Sequence, residues 1–488
     1  MNEYVKLVSE KTGESFDSTL SRMKKIKKLF GISYKEYYNN NLFDLSQGML
    51  EKEALRLQRR KARRKEAFEN AITNSGLSRN EILEDLSRIS AKGIIPINIM
   101  LYDKFQMYSL NEEKLEETLN TIKYRDSICK ELKKDLELID EGKMQYADIE
   151  PKLEELRDIV RSLMNSQFFE KLKAMYIRGR EHIEEDSLEE IFVDMDITRM
   201  LLGFTYNEYL SFHFETRDLQ ARRTFMTNKE RMIALRKIND DISCNLLDDK
   251  AECYKIFKKK FGRKQILVKE ETDYRKFKRF CFGKKSFVKK EISKSMGKGI
   301  EPVYLDGDVD LKKIMKRFID ESDGFVAEEM IKQHPFMASF NGSSVNTVRV
   351  ETFFDGENVK VVDSFFRVGQ NGDFVDNAGA GGIFVDVDIE TGSLCSDGID
   401  EFGRVYVTHP QSGKHFRGNV LQKWDKALKL VKYCGSRVPG VTYIGWDLAY
   451  TNRGKWIIVE GNAKPQIICN QASKGRGLKC EFIEKAKI

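Results

Sequence analysis

The sequence is poor in the residues that build hydrolytic and redox centres. It has five histidines, all scattered, and no Ser–His–Asp or Cys–His arrangement is apparent. Its eight cysteines (Cys129, Cys244, Cys253, Cys281, Cys395, Cys434, Cys469 and Cys480) stand singly, without a CxxC pair. That pattern excludes a zinc ribbon or a disulfide framework and reads as reduced thiols in a cytoplasmic protein. No run of about 18 apolar residues is present, so no membrane span is expected. The opening MNEYVKLVSEKTGESF has no apolar stretch of the kind a secretory leader needs. A GxxxxGK[ST] phosphate loop is also missing.

Proline is scarce in a revealing way. Of seven prolines, only Pro96 and Pro151 precede residue 300. That first part is rich in Glu, Lys, Leu and Met at helical spacing, as in EEKLEETLNTIKYRDSICKELKKDLELI. After about residue 260, β-branched and aromatic runs alternate with Gly, Asn and Asp: TVRVETFF-DGEN-VKVVDSFFRV, GGIFVDVD, WIIVEGN. The expected class is therefore α+β, with a long, mainly α-helical N-terminal region and a mixed C-terminal part. Within the helical part GISYKEYY (31–38) echoes GFTYNEYL (203–210). Two copies are too few for a solenoid and suggest a duplicated helical adaptor, with chance similarity of short Tyr-rich helices as the alternative. The formal charge is +7, and part of it comes from RLQRRKARRK (56–65). A solvated helix face accounts for such a tract, and contact with anionic lipid or nucleic acid is the alternative.

The stretch WDLAYTNRGKWIIVEGN (446–462) places Asp447, Glu460 and Asn462 in two strands that read as buried. With TNRG as a four-residue loop, Tyr450 faces Lys455 and Asp447 lies opposite Ile458. Glu460 and Asn462 then follow on the same face. Buried unpaired charge is very costly, so two carboxylates and an amide there suit a hard cation such as magnesium. Solvated strand ends are the bland alternative. Upstream, KKSFVKKEISKSMGKGIEPVYL reads as strand, glycine-bearing loop, strand, with Lys289 and Lys290 in the first strand. Ser293, Ser295, Gly297, Lys298 and Gly299 in the loop offer hydroxyls and exposed N–H groups to an anion. A plain hairpin turn is the other reading. Between these elements lie the apolar strand ending in Glu328, Glu329, Met330 and Ile331, a strand carrying Asn346 and Arg349, and a segment with Arg367 and Asn377.

This order of elements resembles the ATP-grasp fold over roughly residues 249–488. The stretches IKQHP, SSVNTVRV, DFVDNAGAGGIFVDVD and VEGNAKP are similar to the sugar-transfer-associated ATP-grasp family, which is related to α-L-glutamate ligases. NTVR and GDFVDNAGAGG also resemble segments of RimK-type ligases. The resemblance implies a helical preamble over 186–248 and a catalytic domain over 249–488, and the helical N-terminal region over 1–185 departs from it. It implies magnesium, with manganese as a substitute, on Asp447, Glu460 and Asn462. Lys289, or alternatively Lys290, would contact the nucleotide under a lid formed by residues 293–299. Glu328 and the backbone of Glu329, Met330 and Ile331 would hold adenine, and Asn346 and Asn377 would line the site. D-alanine ligases carry an arginine two residues before the metal aspartate, where this chain has Gly445, so that role would pass to Arg349 or Arg367. Hairpin parity across DGEN puts those two arginines on opposite faces, leaving, a bulge aside, at most one catalytic.

The activity implied is an ATP-dependent carboxylate–amine ligase acting through an acyl phosphate. It would join a sugar acid or amino acid to an amine acceptor in surface glycan or polysaccharide biosynthesis. A kinase on the same fold is one alternative. The other is a nucleotide-responsive scaffold whose helical half binds a glycosyltransferase or a membrane surface. Nucleic acid is not expected as a partner.

Overall fold

The computed structural model describes residues 2–43, 47–180, 187–292, 299–307, 309–322, 324–370, 372–374, 376 and 381–486. The chain divides into two compact units, Met1–Phe169 and Glu170–Ile488. No helix among the described residues is long and apolar enough to cross a membrane.

The first unit is helical. Its longest helices are Gln47–Ser75 and Glu112–Asp140. Among the described residues two of its apolar cores are distinct. One gathers residues between Val5 and Leu57, the other residues between Ala67 and Ile122.

The sequence echo is a repeated piece of local structure. Ser33 and Thr205 each cap a six-residue helix through a reciprocal box with Glu36 and Glu208, satisfying N–H groups the helix cannot. Eight residues beyond each cap, Asn41 and His213 adopt positive φ (47° and 50°) and turn the chain. A third copy, absent from the sequence reading, starts at Asn98. It caps Ile99–Lys104 and is followed by Gln106 at φ 47°. The shared feature is a tyrosine four residues after each cap, and Tyr37, Tyr102 and Tyr209 are all fully buried. The repeat is thus threefold, with two copies in the first unit and one in the second.

The second unit holds two antiparallel sheets, giving the α+β class expected. The smaller has strand order β1-β4-β2-β3, with β1 Gln265–Val268, β2 Ser286–Glu291, β3 Ile300–Tyr304 and β4 Phe325–Glu328. One face packs Phe287, Phe325 and Ala327 against Met315 and Phe318 of helix Leu311–Ser322.

The larger sheet has order β11-β10-β5-β6-β7-β8-β9. Its strands are β5 Thr347–Phe354, β6 Val359–Val368, β7 Ile383–Asp386, β8 Gly398–Ile399, β9 Val405–Tyr406, β10 Tyr443–Tyr450 and β11 Trp456–Asn462. Its two faces differ sharply. Val348, Val350, Phe366, Val385, Ile444, Trp446, Leu448 and Ile458 form one face, buried against Phe257 and Phe261 on one side and Ala427 and Val431 of helix Trp424–Gly435 on another. Each such side chain contributes about 1.5–3 kcal/mol by leaving water. The opposite face carries nearly all the charge, and the candidate site is built on it.

Candidate functional site

Register determines who meets whom on the polar face. In β10–β11, Tyr450 pairs with Trp456, so the connection is five residues long, one more than the sequence reading assumed. That change alone would put Asp447 and Glu460 on opposite faces. A bulge at Val459 adds a second one-residue shift and restores the parity, so Asp447 pairs directly with Glu460 and Gly445 with Asn462. The three side chains share one face through two compensating irregularities.

A second bulge corrects the arginine expectation. The ladder between β5 and β6 shifts at Val362, pairing Arg349 with Phe365 and Thr347 with Arg367. Arg349 and Arg367 therefore lie on the same face, against the parity drawn from DGEN. Both reach Asp447. Arg349 Nε donates to Oδ1 and its Nη2 to Oδ2 at 3.0 Å, and Arg367 Nη2 sits 2.9 Å from Oδ2. Arg367 is held in turn by Thr347 Oγ1, at 3.0 and 2.8 Å, and lies 3.6 Å from Asp376. Thr347 and Asp376 carried no sequence signal that set them apart.

Burial works to raise the Asp447 carboxyl, but the two guanidiniums outweigh it and hold the group well below the usual carboxylate range. Glu460 goes the other way. Burial and the Asp447 charge push its carboxyl up, against the pull of Lys290 and Arg367. Two carboxyls sharing one site are thus driven apart. Asn462 Nδ2 completes the group, 3.5 Å from Glu460 Oε1 and 3.4 Å from the Gly445 carbonyl. Gly445 is required where it stands. A Cβ there would lie 2.7 Å from Pro465 Cβ and 3.0 Å from Arg349 Cδ. Arg349 approaches Asp447 through the space that a side chain at 445 would fill, which explains the departure from the D-alanine ligase pattern.

The two lysines of β2 point opposite ways, as period-two alternation demands. Lys289 lies on the face that packs against helix Leu311–Ser322, over the Phe318 ring at 5.0 Å. It is enclosed by Glu291, Glu301 and Glu321 at 3.3, 3.2 and 3.6 Å. The structure does not bring Lys289 to the polar cluster. Lys290 lies on the other face, 2.8 Å from Glu328, and close enough to Glu460 to lower its carboxyl.

Glu328 is buried between Lys290 and Arg263 Nε. Arg263 also donates to the carbonyls of Ile458 (2.6 Å) and Val459 (3.2 Å). Those carbonyls flank the β11 bulge, so one guanidinium ties the small sheet to the irregularity that sets the register. Arg263 was missed in the sequence, where FGRK reads as a simple turn. So was Lys250, whose ammonium is pushed down by burial while Glu460 pulls it up.

Glu329 is tied to Lys264 through backbone and side chain and to Lys284 at 3.0 Å. The Met330 and Ile331 amides make no hydrogen bond among the described residues. Asn346 is fully buried, and its amide is committed to the Met337 and Asn341 carbonyls (2.8 Å each) and the Ser344 hydroxyl (3.1 Å). It holds a loop and stands apart from the cluster. Gly299 closes the β2–β3 hairpin at φ 70°, its carbonyl accepting from Glu291 N. Ser293, Ser295, Gly297, Lys298 and Asn377 lie outside the described residues.

Two carboxylates and an amide oxygen suit a hard cation that draws its remaining ligands from water and phosphate. Among the described residues no group of three His, Cys, Asp or Glu side chains forms a metal centre of its own. By its chemistry the donor set of Asp447, Glu460 and Asn462 fits magnesium.

A family model described as sugar-transfer associated ATP-grasp matches residues 231–485. No curated protein matches the chain. Among solved structures, a D-alanyl-alanine synthetase A from Vibrio cholerae aligns at 10% identity and TM-score 0.34, over 51% of this chain and 66% of its own. A D-alanine–D-alanine ligase from Bacillus anthracis aligns at 14% and 0.33, over 51% and 69%. An ADP-complexed N5-carboxyaminoimidazole synthetase from Staphylococcus aureus aligns at 13% and 0.27, over 45% of each chain.

Proposed function

The chain belongs to the sugar-transfer associated ATP-grasp family, and on that premise we propose that it is an ATP- and magnesium-dependent ligase joining a carboxylate to an amine. The substrate carboxylate attacks the γ-phosphate of ATP, giving an acyl phosphate and ADP. The amine then displaces phosphate to form the C–N bond. One observation carries this reading. Asp447, Glu460 and Asn462 meet on the polar sheet face beside Arg349, Arg367 and Lys290, an anion-and-cation arrangement suited to a polyphosphate and its metal.

Asp447, Glu460 and Asn462 would hold the ion. When bound, magnesium neutralises charge on the phosphate oxygens and aligns them. Lys290, in place of Lys289, contacts phosphate, with Lys250 nearby. Arg349 and Arg367 act together on the charge that builds on the transferred phosphoryl group. The open amides of Met330 and Ile331, behind buried Glu328, meet the adenine edge. Residues 249–488 form the catalytic domain and 186–248 its preamble. A sugar acid or amino acid joined to an amine in glycan assembly is the substrate class that accords with the family's sugar-transfer association.

The test has two stages. Calorimetric titration with AMPPNP should show binding that requires magnesium and disappears in Glu460→Gln. Incubation with ATP and a panel of sugar acids and amino acids, with hydroxylamine present, should then yield a hydroxamate from the true acid. Magnesium-independent nucleotide binding would remove the metal assignment. A stable phosphorylated acid with no amine-dependent product would make the protein a kinase.

A further inference from the structure

Helix Gln47–Ser75 enters two apolar cores. Leu50, Ala54 and Leu57 pack into the first, and Ala67, Phe68 and Ala71 into the second. Between them residues 58–66 are exposed on every side. At helical spacing the apolar stripe from Leu57 to Ala67 would continue through positions 60, 61 and 64. The chain places Arg60, Lys61 and Arg64 there instead.

A helix needing only to cross a gap would mix charges of both signs. Here seven of the ten residues from Arg56 to Lys65 are cationic and none is acidic. Those seven equal the chain's whole formal excess of +7, so everything outside the tract is balanced. Three of them have partners: Arg56 with Glu53 at 3.0 Å, Lys61 with Glu36 at 2.8 Å and Lys65 with Glu69 at 3.5 Å. Among the described residues Arg59, Arg60, Arg63 and Arg64 have no ion pair or hydrogen bond. At 100° per residue the five arginines of the tract fall within an arc of about 140°, with Gln58, Ala62 and Lys65 on the other side. Five of the seven excess positive charges thus lie on one face of one helical segment.

We propose that this arginine face docks the protein on an anionic phospholipid surface. Guanidinium forks match phosphate oxygens in pairs, and a one-sided arc suits a plane. No aromatic or amide side chain lies on that arc to stack on a base or read its edge, the contacts by which nucleic acid is held in register. No apolar side chain lies there either, so the contact is electrostatic and does not insert. This surface is independent of the catalytic reading and stands or falls without it.

The test is sedimentation of the full-length protein with vesicles of phosphatidylserine and phosphatidylcholine, against vesicles of phosphatidylcholine alone. The protein should sediment only with the first, and high salt should release it, because screening acts within a Debye length. A chain carrying Arg59→Gln, Arg60→Gln, Arg63→Gln and Arg64→Gln should partition on the order of a thousandfold less, with its helical circular dichroism unchanged. Replacing the same four residues by lysine should keep the part of the binding that net charge supplies and lose the part that paired guanidinium contacts supply. Three results would overturn the proposal: no preference for the anionic vesicles, undiminished binding by the glutamine variant, or tighter binding to duplex DNA than to anionic vesicles at equal salt.

Discussion

Lys289 and Lys290 are neighbours in sequence, and replacing each by methionine should produce opposite defects. Methionine keeps most of the aliphatic stem, so the change reports the ammonium. Lys290 faces Glu328 and Glu460. In the proposed role it gives one charge-assisted bond to phosphate, which contributes about 1.5–3 kcal/mol. Lys290→Met should therefore raise the AMPPNP dissociation constant about 10- to 150-fold. Glu328 keeps Arg263, so the fold should survive. Lys289 faces helix Leu311–Ser322. Its loss leaves Glu291, 7% exposed, without its ammonium. Glu301 and Glu321, 44% and 46% exposed, can recover water. Lys289→Met should destabilise by about 1–3 kcal/mol and leave nucleotide affinity within about twofold. Titration calorimetry and urea unfolding of the two variants measure both quantities. Nucleotide binding lost in Lys289→Met and kept in Lys290→Met would refute the assignment of faces.

Arg349→Lys and Arg367→Lys should each lower hydroxamate formation about 100- to 1,000-fold, and the double variant should fall well short of the product of the two, because both act on one charge. Asp447→Asn removes the counter-charge of two buried guanidiniums, and should destabilise by about 3–5 kcal/mol in urea; a neutral result would mean that solvent reaches the pair. Glu351 is buried and, with Asp363 as a like-charged neighbour, burial pushes its carboxyl up to about 7. An unfolded glutamate ionises near 4.3, so the fold loses stability as pH rises between these values, and the loss is complete above the folded value. Glu351→Gln should accordingly raise the melting temperature at pH 8, by an effect on the order of 1–3 kcal/mol, and leave it unchanged at pH 4; destabilisation at pH 8 would show the carboxylate to be charged and needed.

The sequence carried the succession of strands along the chain and singled out Asp447, Glu460 and Asn462 because both follow from local pattern. Turn residues and apolar runs mark each strand, and oxygen-bearing residues in a buried strand stand out. Register was less legible, and for a definite reason. A bulge leaves no mark in alternation, since one extra residue shifts parity without changing composition. At β11 the Val459 bulge offset an underestimated loop, and the expected shared face emerged from two errors of opposite effect. At β6 nothing offset the Val362 bulge, and the arginines were placed on different faces when they share one. The lysine pair failed differently. Phe287 and Val288 are both apolar, so β2 has no polar side to mark the cleft. Only the packing of Phe287 against helix Leu311–Ser322 shows which lysine faces it. The third copy of the capped repeat was hidden because Asn98 is followed by Leu101 at the position where Glu36 and Glu208 complete the box.

These cases share a cause that also bears on how the site works. Three of the residues sequence reasoning missed, Arg263, Thr347 and Asp376, stand outside the set of Asp447, Glu460 and Asn462. Each holds a backbone irregularity or a guanidinium in position. Arg263 binds the two carbonyls at the Val459 bulge while pairing with Glu328 of the other sheet. The same bond that fixes the register of Asp447 and Glu460 therefore also joins the lysine-bearing sheet to the acidic one. A change at Arg263 should disturb both halves together, lowering stability and nucleotide affinity in one step where Lys290→Met lowers affinity alone. Separate effects on the two measurements would mean that the bulge holds its register without the guanidinium.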